Sequence, residues 1–226
     1  MRAGSMPEPR AVAAAGLLVT AWVLSACSTP AAAPSPMTFF VTSTGMNNGA
    51  DLGGLAGADA HCQRLAAQAG AGARTWRAYL SVQARAGLEL PKAVDARERI
   101  GNGPWHNAAG VLIASDLEHL HGPRNGINAD TALSERGART AGAMHDILTG
   151  TRIDGTAPSS LDADMTCGNW MRSGEQGAAL VGHHDRASAI REAWATSWNS
   201  AHLTRGCSAA AIKELGSGGL FYCFAS

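Results

Sequence analysis

The segment GLAGADAHCQRLAAQAGAGARTWRAYLS, residues 54–81, decides the fold because it encodes a helix, a turn and a strand in succession. Small and apolar residues recur at helical spacing over residues 58–69, which predicts a helix with one apolar face. Cys62 lies on that face, and Gly70 stands just past the helix, where a C-cap glycine is favoured. Residues 76–82 alternate apolar and polar side chains, which indicates a half-buried strand.

The remaining chain reads as short strands separated by loops. Residues 37–43 (MTFFVTS) predict an opening strand, and residues 220–224 (LFYCF) predict a closing one. Between them the sequence predicts a charged second helix over 91–100, a strand–turn–strand unit over 105–114, a long loop with a short helix over 115–144, and strands at 147–149, 169–171, 180–181 and 193–198. Two helices near the N-terminal side followed by many short strands predict an α+β domain.

The opening motifs resemble the endostatin-like domain. That domain has Gly-x-x-Gly-Ala-Asp-x-x-Cys, matched by residues 54–62, then a helix and an aromatic-Arg-Ala-aromatic-Leu-Ser strand, matched by residues 76–81. Further matches are Cys167-x-x-Trp170, Cys207 and Phe221-Tyr222-Cys223, so the similarity spans most of residues 38–226. Segments such as GPWHN, MHDILTG and GHHDR resemble uncharacterised bacterial secreted proteins of the same fold. The resemblance implies a C-type lectin-like fold with two N-terminal helices, short mixed strands, long loops and two disulfides.

Four cysteines follow the N-terminal region, and their even number favours disulfides in an exported protein. They allow three pairings, and none has the CxxC spacing of a zinc or redox motif. The resemblance to endostatin-like domains implies the nested pairs Cys62–Cys223 and Cys167–Cys207.

The N-terminus predicts export. Arg2 and Arg10 precede an apolar run over residues 11–26, which ends in Leu-Ser-Ala before Cys27. The run is shorter than the roughly 18–20 residues of a transmembrane helix, and its end resembles a bacterial lipobox. We therefore expect acylation of Cys27 and anchoring to the bacterial envelope, with the outer membrane as the expected location. An ordinary secretory signal is the alternative.

These features divide the chain into three parts. Residues 1–27 are interpreted as a lipoprotein signal peptide, residues 28–36 (STPAAAPSP) as a tether without large apolar side chains, and residues 37–226 as the domain. The formal net charge is zero and no Lys/Arg cluster is present, which argues against nucleic acid as a partner.

Polar residues of the second half are the candidates for a functional site. We expect Asp185, Asn199 and His202, with Trp198, to contact a ligand. His184, Asp185 and His202 are the expected metal ligands, and this mixed nitrogen and oxygen set suits zinc better than calcium. His145-Asp146, Asp154 and His183 belong to the same group of candidates.

Adjacent side chains on a strand point to opposite faces, so only one of His183 and His184 reaches a common site. Alternatively, the polar groups hydrogen-bond loop backbone, and Asp185 pairs with Arg186 or Arg205.

The sequence favours a binding function over an enzymatic one. HExxH, GxSxG and phosphate-binding glycine motifs are absent. We expect a lipid-anchored binding module that recognises a glycan or an extracellular protein. A metal-dependent hydrolase that uses the same His and Asp residues is the alternative, and an envelope protein without a small ligand is a third possibility.

Overall fold

The computed structural model describes residues 35–85 and 92–226, together with Met1, Gly4 and Met6. Apart from those three residues, the expected signal peptide, its Cys27 and the tether up to residue 34 lie outside the described residues. No helix in the described part of the chain has the length and apolar character needed to cross a membrane.

Short strands and short helices alternate along the described chain. The strands are β1 Phe39–Val41, β2 Trp76–Ala78, β3 Trp105–His106, β4 Leu112–Ala114, β5 Asp146–Leu148, β6 Leu180–His183, β7 His202–Leu203 and β8 Ser217–Ala225. The helices are α1 Gly54–Gln68, α2 Ala96–Arg99, α3 Leu117–His121, α4 Cys167–Trp170 and α5 Ala209–Lys213, with 3₁₀ turns at Gly142–Met144 and Ala193–Thr196. The chain is thus of the α+β class, as the sequence predicts.

Strand β8 organises the main sheet. It pairs antiparallel with β1 and β2 and parallel with β5. The sheet continues antiparallel from β5 to β6 and from β6 to β7, while β3 and β4 form a separate hairpin. Three strands from the second half of the chain therefore lie side by side at one end of the sheet.

The sheet separates two apolar cores. Alternate β8 side chains enter opposite cores, so Phe221 and Cys223 pack on the side of α1 while Tyr222 and Phe224 pack on the other. The α1 core also holds Trp76, and its indole N–H donates to the Ala71 carbonyl over 2.9 Å. This alternation explains why residues 220–224 are continuously apolar.

Two disulfides fasten the cores, and they have the pairing that the resemblance implies. Cys62–Cys223 joins α1 to β8, and Cys167–Cys207 joins α4 to the segment before α5. All four cysteines are fully buried.

Three expected elements differ from the structure. The second helix is confined to Ala96–Arg99, and its expected beginning at residue 91 lies outside the described residues. The expected strand at 169–171 is wrong, because residues 167–170 form a turn in which every φ is positive. The expected strand at 193–198 is wrong as well, because Ala193–Thr196 is a 3₁₀ turn.

Candidate metal centre

Three strands, together with the residue that precedes β5, bring four polar side chains close to one another. Asp146 on β5 lies opposite His183 on β6, and His202 on β7 lies opposite Val181, two residues before His183. Residues at i and i+2 of a strand share a face, so His202 and His183 project to the same side. His145 precedes β5, and its ring stacks on His183 with centroids 4.5 Å apart.

The three imidazoles surround one carboxylate oxygen. Asp146 Oδ1 lies 3.2 Å from Nε2 of His145, 3.2 Å from Nε2 of His183 and 3.5 Å from Nε2 of His202. His145, Asp146 and His183 each offer a ligand atom within 4.8 Å of the other two. His202 contacts Asp146 but does not belong to this group of three residues.

The distances from Asp146 to its neighbours are compatible with a metal ion held by His145, Asp146 and His183. An ion bound by imidazole nitrogen and carboxylate oxygen at about 2.0–2.1 Å has ligand–ligand edges of about 3.3–3.4 Å. The three distances from Asp146 Oδ1 are close to that edge length. Only His145, Asp146 and His183 have ligand atoms that all lie within 4.8 Å of one another, so His202 would have to move towards them to become a fourth ligand.

The central groups lack hydrogen bonds within the described chain. Asp146 is fully buried and His183 is 4% exposed. Neither carboxylate oxygen of Asp146 and neither ring nitrogen of His183 has a partner with hydrogen-bond geometry among the described residues. A buried carboxylate needs a compensating positive charge, and either a protonated imidazole or a cation bound between these groups can supply it.

Outer contacts orient two of the imidazoles. Asp185 Oδ1 lies 3.5 Å from Nδ1 of His145, and the Leu203 carbonyl lies 3.2 Å from Nδ1 of His202. A proton on Nδ1 in each ring leaves the Nε2 lone pair directed at Asp146. Metal-binding histidines commonly have such a carboxylate or carbonyl partner on the other ring nitrogen.

The electrostatics favour an ionised Asp146. Burial opposes ionisation, but the contacts with His183, His202 and His145 outweigh it and hold the pKa of Asp146 below its usual value. The contact with Asp146 raises the pKa of His202, and burial opposes this rise. The protein thus supplies the anionic oxygen that a cation requires.

Gly182 permits the close packing beside the centre. A Cβ at this position would lie 1.9 Å from the Trp198 carbonyl oxygen. The chain around Trp198 approaches β6 here, and the Ser197 carbonyl accepts a 2.8 Å hydrogen bond from the His183 N–H. Glycine thereby allows the contact that fixes the His183 backbone.

The structure brings together only part of the expected set. His202 faces Asp146, and Asp185 contacts His145 from outside the cluster. His184 is 1% exposed, and neither of its ring nitrogens has a hydrogen-bond partner within the described residues. It lies outside the group formed by His145, Asp146 and His183, so His183 occupies the position expected for His184.

Asn199 and Trp198 lie in the interior rather than beside His202. The Asn199 amide donates to the Tyr79 hydroxyl over 3.0 Å and to the carbonyls of Arg152 and Ile153 over 3.2 Å each. Trp198 is 3% exposed and packs against Tyr79 and Tyr222. Both side chains make their contacts within the protein, so they stabilise the chain between β6 and β7 and do not face a ligand beside His202.

The sequence expectation did not identify Asp146 as the centre. A His-Asp pair at the start of a short apolar strand was the available signal, since the strand continues into Ile147 and Leu148. The decisive information is the register that sets Asp146 opposite His183.

Neither a protein-family model nor a curated protein sequence matches this chain.

Proposed function

We propose that this chain is an exported, lipid-anchored bacterial domain that binds a divalent transition-metal ion through His145, Asp146, His183 and His202. The observation that carries the proposal is the convergence of three Nε2 atoms on one buried carboxylate oxygen that has no hydrogen bond among the described residues.

The donor set favours zinc over calcium. Calcium takes six to eight oxygen ligands, whereas three imidazoles and one carboxylate suit zinc and its neighbours in the first transition row. Zinc is the first ion to test because it accepts four-coordinate nitrogen and oxygen sites without redox chemistry.

The binding module remains the favoured class, with the metal as part of the ligand site. His145 and His202 are 25% and 30% exposed at their side chains, so one side of the cluster faces solvent. A solvent-facing ion can accept an oxygen atom from a bound glycan or protein. The same exposure supports the alternative of a metal-dependent hydrolase, in which the ion activates a water molecule.

Export and anchoring rest on separate observations. Two disulfides indicate a domain that folds in an oxidising, extracytoplasmic compartment. The apolar run that ends at Cys27 supports the lipid anchor. Labelling with a radioactive fatty acid should mark the wild-type protein and not a Cys27→Ser variant, and an unlabelled wild type would overturn the anchor.

Metal analysis and calorimetry on residues 37–226 test the metal centre. We expect one zinc ion per chain and no measurable calcium binding. Asp146→Asn and His183→Gln should abolish zinc binding. Asp185→Asn should weaken it by about 10- to 100-fold, as the loss of an outer carboxylate does elsewhere.

His106→Gln is the matched control, because His106 lies on the separate β3–β4 hairpin. It should bind zinc as the wild type does. Cobalt substitution should give the strong visible absorption of a four-coordinate site. A wild type that binds no zinc, or an Asp146→Asn variant with unchanged affinity, would contradict the proposed function.

A further inference from the structure

The loop after β6 carries a guanidinium group, that of Arg186, without a carboxylate partner among the described residues. Arg186 is partly buried, and its Nε donates to the Ile127 carbonyl over 2.8 Å while Nη2 donates to Asn125 Oδ1 over 2.6 Å. No described acidic side chain forms an ion pair with it, and no described group accepts a hydrogen bond from Nη1. A partly buried cation that is held only by neutral groups attracts an anion from solution.

The backbone of Arg186 is held in an unfavourable conformation. Its φ is +55°, in the left-handed region that residues with a Cβ seldom occupy. The Arg186 N–H donates to the His183 carbonyl over 3.1 Å, which closes a turn directly after β6. Strain of this kind is common where a side chain must be directed into a binding site.

Arg186 lines a cleft that provides further binding groups. The cleft measures about 310 Å³ and is bordered by Thr196, Ser197 and Ile153. Ile153 also borders an adjoining cleft of about 410 Å³, together with Trp194 and other residues, namely Arg152, Asp154 and Ser200. Ile153 therefore borders both clefts.

The adjoining cleft presents an exposed aromatic ring among polar groups. Trp194 is 48% exposed and Ile153 is 54% exposed, although residues of this type are normally buried. An indole face with hydroxyl, carboxylate and guanidinium groups around it suits the apolar face and hydroxyl rim of a sugar ring.

We propose that the two clefts bordered by Ile153 together bind an acidic sugar, with the ring on Trp194 and Ile153 and the carboxylate on Arg186. A planar guanidinium and a carboxylate form directional, charge-assisted hydrogen bonds, which a neutral sugar cannot make. This site uses none of the residues of the metal centre. It does not depend on the function proposed above.

Glucuronate is the probe, and glucose is its neutral counterpart. We expect glucuronate to bind residues 37–226 in calorimetry or ligand-observed NMR, with glucose at least about tenfold weaker. Binding should persist after chelation of metals, which separates this site from the metal centre. Absence of glucuronate binding, equal binding of glucose, or loss of binding on chelation would each overturn the proposal.

Variants test the two ends of the site separately. Trp194→Ala should weaken glucuronate binding about tenfold or more while the melting temperature is retained, because the indole is half exposed. Arg186→Lys keeps the charge and should bind glucuronate no better than glucose, since the planar fork is lost. Leu161→Ala is the control for an exposed apolar residue elsewhere, since Leu161 is 85% exposed, and it should bind as the wild type does.

If the Arg186 variant fails to fold, the Trp194→Ala variant still tests the site. Unchanged glucuronate affinity in Trp194→Ala would refute the placement of the ring. Benzoate, which offers a carboxylate on an aromatic ring, should bind more weakly than glucuronate, and tighter binding of benzoate would refute the assignment to a sugar.

Discussion

Removal of the outer disulfide, Cys62–Cys223, should destabilise the domain more than removal of the inner disulfide, Cys167–Cys207. The outer disulfide is removed by Cys62→Ala with Cys223→Ala. The outer disulfide spans 161 residues and the inner one spans 40. The chain-entropy relation gives about 5 kcal/mol for the loop of 161 residues and about 4 kcal/mol for the loop of 40 residues at 25 °C.

The matched variant is Cys167→Ala with Cys207→Ala. Since all four cysteines are fully buried, each pair of substitutions removes two interior sulfur atoms, and the local packing loss is similar. At about 2–4 °C per kcal/mol for a domain of this size, we expect the melting temperature to fall by about 10–20 °C without the outer bridge and by about 8–16 °C without the inner one.

Differential scanning calorimetry and urea unfolding of residues 37–226 provide the measurement. Both curves should be recorded without metal, so that ion binding does not add to stability. If the variant without the outer bridge is as stable as the variant without the inner one, loop closure does not govern the stability of this fold.

Three further predictions concern single residues. Asp59→Asn should cost about 3 kcal/mol in urea unfolding, because Asp59 accepts two hydrogen bonds from the mostly buried Arg99 guanidinium; a loss below about 1 kcal/mol would contradict this. Gly182→Ala should cost about 1–3 kcal/mol and weaken zinc binding, since the new methyl group meets the Trp198 carbonyl; wild-type stability and affinity would refute the argument. Burial lowers the pKa of His121 below 6.5, so the unfolded chain binds a proton there that the folded chain resists. The contribution of neutral His121 to the free energy of unfolding is therefore present above pH 6.5 and is lost as the pH falls below 6.5. His121→Gln should reduce the drop in melting temperature on acidification.

Regular elements could be predicted from sequence where one periodicity ran over enough residues. The apolar face of α1 spans several turns, and β8 is long and aromatic, so each pattern allowed one interpretation. The second helix was expected to be longer than α2, because charged residues extended the helical composition beyond the single turn that forms.

Short apolar runs gave wrong strands because local polar contacts decide their backbone. Around Trp170, the Thr166 hydroxyl accepts a hydrogen bond from the Asn169 N–H over 3.1 Å and stabilises a turn. The residues of that turn, including Asn169 at φ 60° and Trp170 at φ 68°, adopt left-handed conformations that hydrophobic patterning does not reveal.

The candidate site could be predicted in composition but not in geometry. Histidine and aspartate were recognised as suitable ligands, and the opposite directions of His183 and His184 followed from strand alternation. The choice between those two residues depends on which face of β6 meets Asp146, and that register involves residues 37 positions apart in the chain.

The central position of β8 has a consequence for when the proposed metal centre can form. Of the strands described, β8 is the last to leave the ribosome or to emerge from an export channel, yet β1, β2 and β5 all pair with it. Until residues 217–225 have emerged, β5 lacks its parallel neighbour. The position of Asp146 relative to the histidines is then not fixed. A chain exported in an unfolded state would therefore reach the far side of the membrane before the proposed site forms, and any ion that the site binds would come from that compartment.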